Sequence, residues 1–345
     1  MLGRKLLSAC GDVSHYLISA SGNSLVKTDV TTRIPVLKGS ASAGATLTGG
    51  LAVNKKSKLA YAVVSGKLIK FDVSQDVPVY VSDLAVADIR HVLYSAAKDV
   101  LYSISRNTAT TTTITVRSHD PITLSVINTV TANGGANGNS GNAYLDEASS
   151  LIFLCFYSAG TTNRSRVFAW AIGAGGSISG PAFLTLGGDV GNPPYLGLNP
   201  IKDFFAWARN NRYELLSYNS SGLVNTTPIA TISTSSSPFS INYFSNDGNH
   251  MFAYRPNTLK LAVYDVSTPS SPAHVTDFSF MARTGLTGLP NQILHISELD
   301  LLIVTPETGT EVYFVDVANM ASPVLLATYT SAAVIPLSGS RGHLA

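Results

Sequence analysis

Short apolar runs alternate with polar turns along the whole chain, in a pattern that predicts β-strands. The clearest stretch has apolar runs at Leu51–Val53, Leu59–Val64, Leu68–Val73 and Val77–Leu84, separated by short polar turns. Runs of this length bounded by Gly, Asn and Ser favour strands over helices. Four consecutive strands joined by short turns are the content of one β-propeller blade.

The third run of this unit ends in a phrase that recurs along the chain. An apolar strand followed by Asp, Val and a small residue occurs at Leu25–Thr31, Leu68–Ser74, Leu261–Ser267 and Val312–Ala318. Three weaker copies, ending near Ser118, Ala171 and Asn219, place the third strands about 43 to 53 residues apart throughout. A fixed period of this size is typical of a repeat architecture. We therefore predict an all-β fold, a seven-bladed β-propeller of four-stranded antiparallel blades.

The two ends of the chain predict how the ring closes. The chain starts with an apparent second strand, His15–Ala20, that has no first strand before it, and only Ser331–Ala345 follows the last complete unit. An open ring would expose two unpaired sheet edges, so we expect one blade to combine N- and C-terminal strands. The prediction is a leader over residues 1–11 and one propeller domain over 12–345, with blades at about 12–38 plus 332–345, 50–84, 88–131, 141–187, 194–233, 239–281 and 290–330.

The recurring Asp has a structural role available to it. In Asp265–Pro269 the side chain follows a strand and can accept hydrogen bonds from backbone N–H groups a few residues on. A propeller distributes such positions around its ring. We therefore predict turn-stabilising carboxylates rather than a metal or catalytic cluster.

The composition fits one large β-rich domain. The 345 residues allow one large domain or two, and the repeat count places nearly all of them in one. Hydrophobic residues make up 45% and charged residues only 13%, about half of the usual share. Ser, Thr, Asn and Gly therefore supply most of the polar surface.

Charge and cysteine content exclude two classes of protein. The net charge is +2 and no basic run is longer than a pair such as Lys55–Lys56, whereas binding to nucleic acid usually needs a concentrated basic field. Cys10 and Cys155 are far apart, so no disulfide framework is indicated. Cys155 lies in the apolar run Leu151–Tyr157, where a thiol is expected to be buried.

The N-terminus resembles a targeting signal only superficially. No stretch approaches the roughly 18 apolar residues of a membrane span, so no membrane insertion is expected. Residues 7–10, Leu-Ser-Ala-Cys, imitate a lipoprotein cleavage box, but only two leucines separate them from the preceding charges, too few for a signal peptide. We expect a short tail that serves as a docking peptide, with these candidate partner-docking residues: Leu2, Arg4, Lys5, Leu6 and Leu7.

No constellation of catalytic residues is visible. His91, His295 and His343 fall in predicted innermost strands, but His91 and His295 lie at different offsets from the following turns and should not converge. Phosphate-loop, nucleophile-elbow, zinc and Cys-x-x-Cys motifs are absent. The carboxylates Asp88, Asp146 and Glu147 are scattered. We therefore expect no catalytic, cofactor-binding or metal-binding residue, and not an enzyme.

Loops on one face of the disc are the remaining candidate for binding. The long connections Ala132–Gly141 and Gly187–Tyr195 should project at the same end of the blades as the Asn107–Thr113 and Ser158–Arg166 turns. The stretch 133–142 is rich in Asn and Gly but has no carboxylate for calcium. Loops on a rigid scaffold commonly carry binding. The candidate binding residues of this face are Asn133, Asn137, Arg164, Arg166 and Tyr195.

Two phrases resemble known propeller repeats. Val263–Pro272 and Phe314–Pro323, an apolar strand followed by Asp, Val, a small residue, a spacer and Pro, resemble the LVIVD-type repeat. Phe244–Tyr254 resembles the strand–turn–strand phrase of YVTN and lactonase-like propellers. The resemblance implies the propeller fold and very little about reaction chemistry, because such propellers include binding modules, scaffolds and some enzymes.

The first nine residues, Met1–Ala9, resemble the leader of tail-associated structural proteins of tailed bacteriophages. This resemblance implies a virion structural protein, associated with the tail or neck or fibre-like, present in several copies in a symmetric assembly. Its partners would be other virion proteins and a host-surface glycan or receptor. Two alternatives remain open: a secreted or periplasmic interaction scaffold, and a lactonase-like hydrolase, which would need clustered carboxylates and a calcium site.

Overall fold

The fold consists of β-strands joined by short turns. A computed structural model describes residues 14–107, 112–135, 138–158, 164–186, 196–199, 201–209, 212–222, 224–234, 242–255, 260–279, 290–306, 311–330 and 343–344. The strands are β1 (Tyr16–Ser21), β2 (Ser24–Asp29), β3 (Val36–Ser42), β4 (Leu47–Asn54), β5 (Leu59–Val64), β6 (Lys67–Asp72), β7 (Val79–Ala85), β8 (Ile89–Ser95), β9 (Val100–Asn107), β10 (Thr112–His119), β11 (Val126–Gly135), β12 (Gly138–Asp146), β13 (Leu151–Ser158), β14 (Arg164–Ile172), β15 (Ile178–Leu186), β16 (Leu196–Leu198), β17 (Phe204–Arg209), β18 (Arg212–Ser217), β19 (Ala230–Ser233), β20 (Asn242–Phe244), β21 (His250–Arg255), β22 (Lys260–Asp265), β23 (Ala273–Ser279), β24 (Pro290–Ile296), β25 (Leu301–Pro306), β26 (Glu311–Asp316), β27 (Val324–Thr330) and β28 (His343–Leu344). Within these ranges the only helices are two 3-10 turns, Ala174–Gly176 and Ser297–Leu299, and no helix there could cross a membrane.

The strands of the described residues form seven four-stranded antiparallel sheets, the blades of a propeller. Blades 2 to 7 each consist of four consecutive strands: β4–β7, β8–β11, β12–β15, β16–β19, β20–β23 and β24–β27. Blade 1 has the order β28-β1-β2-β3. We name the strands of each blade A to D from the central channel outwards. The predicted fold class is confirmed.

Blade 1 closes the ring with both ends of the chain. Its innermost strand, β28, pairs antiparallel with β1 through Tyr16 opposite Leu344 and Leu17 opposite His343. The closure predicted from the missing first strand is therefore confirmed. The predicted leader, residues 1–11, lies outside the described residues.

The core is divided among the gaps between neighbouring blades. Seven buried hydrophobic clusters are present in the described residues, and each combines side chains from two consecutive blades. Alternate residues of a strand point to opposite faces, so a middle strand contributes to two clusters. In β13, Ile152 and Phe156 pack toward blade 3, while Phe153 and Cys155 pack toward blade 5. Burial on both faces explains the unbroken apolar run of this strand.

Cys155 is fully buried, as the sequence predicted. Burial raises the pKa of its thiol to about 12, so the thiolate that would react or bind a metal is disfavoured. We interpret it as a small core residue.

The recurring Asp accepts the predicted turn hydrogen bonds. Oδ1 of the Asp accepts from the backbone N–H two residues on, at 2.8 or 2.9 Å, in four turns: Asp29 from Thr31, Asp72 from Ser74, Asp265 from Ser267 and Asp316 from Ala318. The same device therefore begins the turn between strands C and D in blades 1, 2, 6 and 7.

These turns predict a loss of stability in acid, as does the C–D turn of blade 3, where Asp120 accepts from the N–H groups of Ile122 and Thr123. The N–H of Thr123 lowers the pKa of Asp120, and hydrogen bonds from the Ser267 side chain and N–H lower that of Asp265, both from an ordinary 3.8. A carboxylate with a lowered folded-state pKa contributes stability that is present above pH 3.8 and is lost as the pH falls through the lowered value. We expect the melting temperature of the wild type to fall steeply below pH 4, and that of D120N/D265N to fall less. Melting curves from pH 2.5 to 7 test this; parallel pH profiles for the two proteins would contradict it.

Candidate binding face

The turns of the blades divide between two ends of the disc. A–B and C–D turns lie at one end, here named the AB/CD face. B–C turns and the connections from D to the next A strand lie at the other, here named the BC/DA face. Because the strands are antiparallel, the position of a residue within its strand fixes the face to which it is nearer.

The AB/CD face is occupied by hydrogen bonds that join neighbouring blades. Each of the seven interfaces has at least one: Lys27 Nζ to the Val73 carbonyl at 2.8 Å, Tyr61 Oη to the Pro121 carbonyl at 3.0 Å, Ala96 N–H to Glu147 at 2.7 Å, Tyr218 Oη to Asp146 at 2.8 Å, Lys202 Nζ to the Ser267 carbonyl at 2.8 Å, Asn246 Nδ2 to Ser297 Oγ at 3.2 Å, and the Arg33–Asp316 ion pair at 2.6 Å. This face therefore holds the ring together.

The carboxylates considered for hydrolysis do not come together. Asp146 caps its own turn, accepting from the N–H groups of Ala148 and Ser149, and accepts from the buried Tyr218 hydroxyl of blade 5. Burial, and then the negative charge of Asp146, raise the pKa of Tyr218 above its usual value. Glu147 binds the A–B turn of blade 3. Asp88 lies at the opposite, BC/DA face, just before β8.

The histidines of the inner strands also lie at different levels. His91 pairs with Ile104, well before the A–B turn of its blade, whereas His295 pairs with Leu302, close to the turn. The predicted difference in offset is confirmed. His343 lies in the closing strand β28. Within the described residues, no three His, Cys, Asp or Glu side chains form a group that could hold a metal ion.

The BC/DA face carries arginine. In five consecutive blades a cation stands in the strands that flank the B–C turn: Lys67 begins β6, Arg106 is next to last in β9, Arg164 begins β14, Arg209 ends β17, Arg212 begins β18, Arg255 ends β21 and Lys260 begins β22. In the A–B turns of the opposite face the basic residues are lysines: Lys55, Lys56, Lys58, Lys98 and Lys202. Of the seven basic residues that flank the B–C turns, five are arginines.

Arg90 and Arg106 lie on the neighbouring strands β8 and β9 of blade 3, each directly after the paired residues Ile89 and Ser105. Arg90 is exposed at the start of β8, and Arg106 is half-buried. Burial lowers the pKa of Arg106, the charge of Arg90 lowers it further, and Asp88 opposes both effects. Two guanidiniums held together favour a negatively charged group between or above them.

Arg166 of blade 4 is held beside an exposed aromatic ring. Its Nη1 donates to the Gly134 carbonyl of blade 3 at 3.3 Å, and its guanidinium lies 5.9 Å from the ring centre of Phe183, which is 58% exposed. Arg166 thus contacts the neighbouring blade as well as facing its own D strand, a role that the sequence did not predict.

Three of the predicted binding residues lie at the BC/DA face of blades 3 and 4. Asn133 is exposed near the end of β11, and Arg164 and Arg166 lie at the start of β14. Asn137 and Tyr195 are outside the described residues, as are the leader candidates Leu2, Arg4, Lys5, Leu6 and Leu7. Sequence reasoning missed Arg90, Arg106 and Phe183, which stand in separate strands with no local basic run.

Comparison with solved structures gives the same fold. A protein of unknown function from Desulfotomaculum acetoxidans matches with TM-score 0.71 and 12% identity over 94% of this chain and 97% of its own. A candidate 6-phosphogluconolactonase from Bacteroides uniformis matches at 0.70 and 13% over 94% and 98%. The periplasmic gluconolactonase of Pseudomonas aeruginosa matches at 0.70 and 10% over 94% and 98%. No family model and no curated protein sequence matches the chain.

These comparisons correct one prediction from the sequence. The expectation, based on missing motifs, that the chain is not an enzyme is wrong. Proteins named as lactonases have the same fold over nearly their whole length. Missing motifs exclude only the reactions that use those motifs. At 10 to 13% identity the likeness itself shows the propeller fold and no residue of a site.

Proposed function

We propose that the chain is an attachment protein of a tailed-bacteriophage particle, docked to other virion proteins by its leader and presenting its BC/DA face to a host-surface glycan. The observation that carries the proposal is the unequal use of the two faces. AB/CD turns bind neighbouring blades at all seven interfaces. On the BC/DA face, the described contacts between blades are fewer, for example Leu47 with Gly22 and Arg166 with Gly134, and arginines lie along the strands that flank the B–C turns.

Two features of the sequence support the virion setting. Met1–Ala9 resembles the leader of tail-associated proteins, and the surface owes its polarity to Ser, Thr and Asn more than to charge. Such a surface suits assembly against neighbouring protein. We propose several copies in a symmetric particle.

The test is incorporation into particles of the phage whose genome carries the gene. The full chain is expected in purified particles, and a chain lacking residues 1–11 is expected to fold but to be absent from them. Mass spectrometry of density-purified particles measures both. Absence of the full chain from the particles would overturn the proposal, and incorporation of the shortened chain would overturn docking through the leader.

Lactone hydrolysis is a second candidate function, favoured by the lactonase names among proteins of the same fold. Its test is proton release from glucono-δ-lactone and from its 6-phosphate, with calcium and with a chelator. A metal-dependent rate above spontaneous hydrolysis supports this candidate. A rate equal to the spontaneous one for both lactones removes it.

A further inference from the structure

Four side chains that suit one extended ligand come from successive strands of blades 3 and 4: Arg90 on strand A and Arg106 on strand B of blade 3, and Arg166 on strand C and Phe183 on strand D of blade 4. Arg106 of β9 pairs with Ile114 of β10, and Ile114 pairs on its other side with Ala132 of β11. Two strand spacings, about 10 Å, therefore separate Arg106 from Ala132. Ile114 and Ala132 pack into the cluster shared with blade 4, and Arg166 reaches the same edge from blade 4 through the Gly134 carbonyl. We name Arg90, Arg106, Arg166 and Phe183 the arginine cleft.

Arg90 and Arg166 take part in none of the ion pairs of the described residues, whereas the carboxylate of Asp88 offsets part of the charge of Arg106. Ion pairs of the described residues involve Arg33, Lys38, Lys67, Arg212 and His274 instead. Guanidinium binds carboxylate and phosphate through paired, parallel hydrogen bonds, which lysine does not offer. The use of arginine here, with lysine on the opposite face, points to recognition of such groups.

Phe183 adds an apolar surface beside Arg166. Its ring is 58% exposed on the outer strand, as are apolar side chains of other strands D, but it also lies 5.9 Å from a guanidinium that donates to the Gly134 carbonyl. A flat apolar surface beside a fixed cation suits a ligand with both an apolar face and an acidic group. Sugar rings that carry an acid group have this combination.

We propose that the arginine cleft binds an acidic glycan, with Arg90 and Arg106 on its carboxylate or phosphate groups and Phe183 against a sugar ring oriented by Arg166. The inference rests on the proposed function, because it names the ligand class of the face proposed there. The ligand feature proposed is an anionic group on a sugar ring. This group is either a carboxylate or a phosphate.

Binding of the full chain to labelled oligogalacturonate, yeast phosphomannan and neutral dextran tests the proposal. We expect binding to one or both acidic glycans that weakens as salt is raised, and none to dextran. Replacing three guanidiniums in R90Q/R106Q/R166Q is expected to weaken binding about 100-fold. The matched variant K55Q/K56Q/K58Q removes three exposed charges from the opposite face and is expected to change it by less than about 2-fold.

Two further variants keep the test decisive. R90E changes a single exposed side chain and is expected to weaken binding about 10-fold even if the triple variant fails to fold. F183A is expected to weaken glycan binding about 10-fold. Equal weakening by the two triple variants would overturn the proposal, as would equal or tighter binding of polyglutamate or single-stranded DNA. Glycan binding by a chain absent from particles would sink the virion proposal and leave the glycan site standing.

Discussion

Removing residues 332–345 is expected to lower the melting temperature by about 10 °C. Deletion of β28 leaves β1 as an unpaired inner edge and loses its two pairs with Tyr16 and Leu17. It also opens the inner edge of blade 1 to water beside Leu17 and Ile18, which are buried against blades 7 and 2. Two hydrogen-bonded pairs and partial exposure of two apolar side chains amount to about 5 kcal/mol, and in a chain of this size each kcal/mol corresponds to about 2 °C.

Deletion of residues 1–11 is the matched control, because it shortens the chain without touching a described strand. Differential scanning calorimetry of the two deletions and the full chain measures the effect. A C-terminal deletion that melts with the wild type would show that the ring does not depend on β28.

Replacing Asp146 with Ala is expected to cost about 3 kcal/mol of unfolding free energy. Asp146 is 6% exposed and serves two structures at once. Its loss removes the cap from the N–H groups of Ala148 and Ser149, worth about 1 kcal/mol by analogy with helix caps, and leaves the buried Tyr218 hydroxyl without its acceptor, worth about 2 kcal/mol.

A double-mutant cycle with Y218F separates the two contributions. Urea unfolding is expected to give about 2 kcal/mol for Y218F and a favourable coupling energy between the two sites. D265A, which removes a cap from an exposed turn, is the matched control and should cost about 1 kcal/mol. Equal losses for D146A and D265A would show that the bond between blades 4 and 5 contributes nothing.

The fold could be predicted from the sequence because the residues that form its turns act on their near neighbours in the chain. Asp29 and Asp72 begin C–D turns of adjacent blades, as do Asp265 and Asp316, and each of the four accepts its own turn hydrogen bond from two residues on. The closure was readable because an inventory of strands left one missing at the start of the chain. The first inference requires only neighbours in sequence, and the second requires only a count of the strands along the chain.

The hydrogen bonds between blades have a weaker signal in the sequence, a repeated lysine, which an alignment of the repeats would have shown. Lys27 and Lys70 each stand two residues before the recurring Asp. Both donate to a carbonyl in the C–D turn of the next blade, Lys27 to Val73 and Lys70 to Ile122. A lysine repeated at that position indicates a repeated acceptor, although its identity depends on how neighbouring blades pack.

The arginine cleft could not be predicted from one pass along the chain. Arg90, Arg106 and Arg166 lie in three strands of two blades, and only the sheet register brings them to one edge. Asn133, Arg164 and Arg166 could be placed on the BC/DA face because turn positions define a face, and their part in binding stays a prediction. Phe183 was missed because exposure of an aromatic residue on strand D is a tertiary property.

The central claim is that the AB/CD face joins the blades and the BC/DA face binds the glycan. Hydrogen–deuterium exchange of the full chain with and without oligogalacturonate tests it most directly. With oligogalacturonate, we expect slower exchange in peptides covering 86–107, 132–135 and 164–186 of blades 3 and 4. We expect no slowing in the A–B turns at 54–58, 95–99 and 146–150. Protection confined to those A–B turns would contradict the central claim.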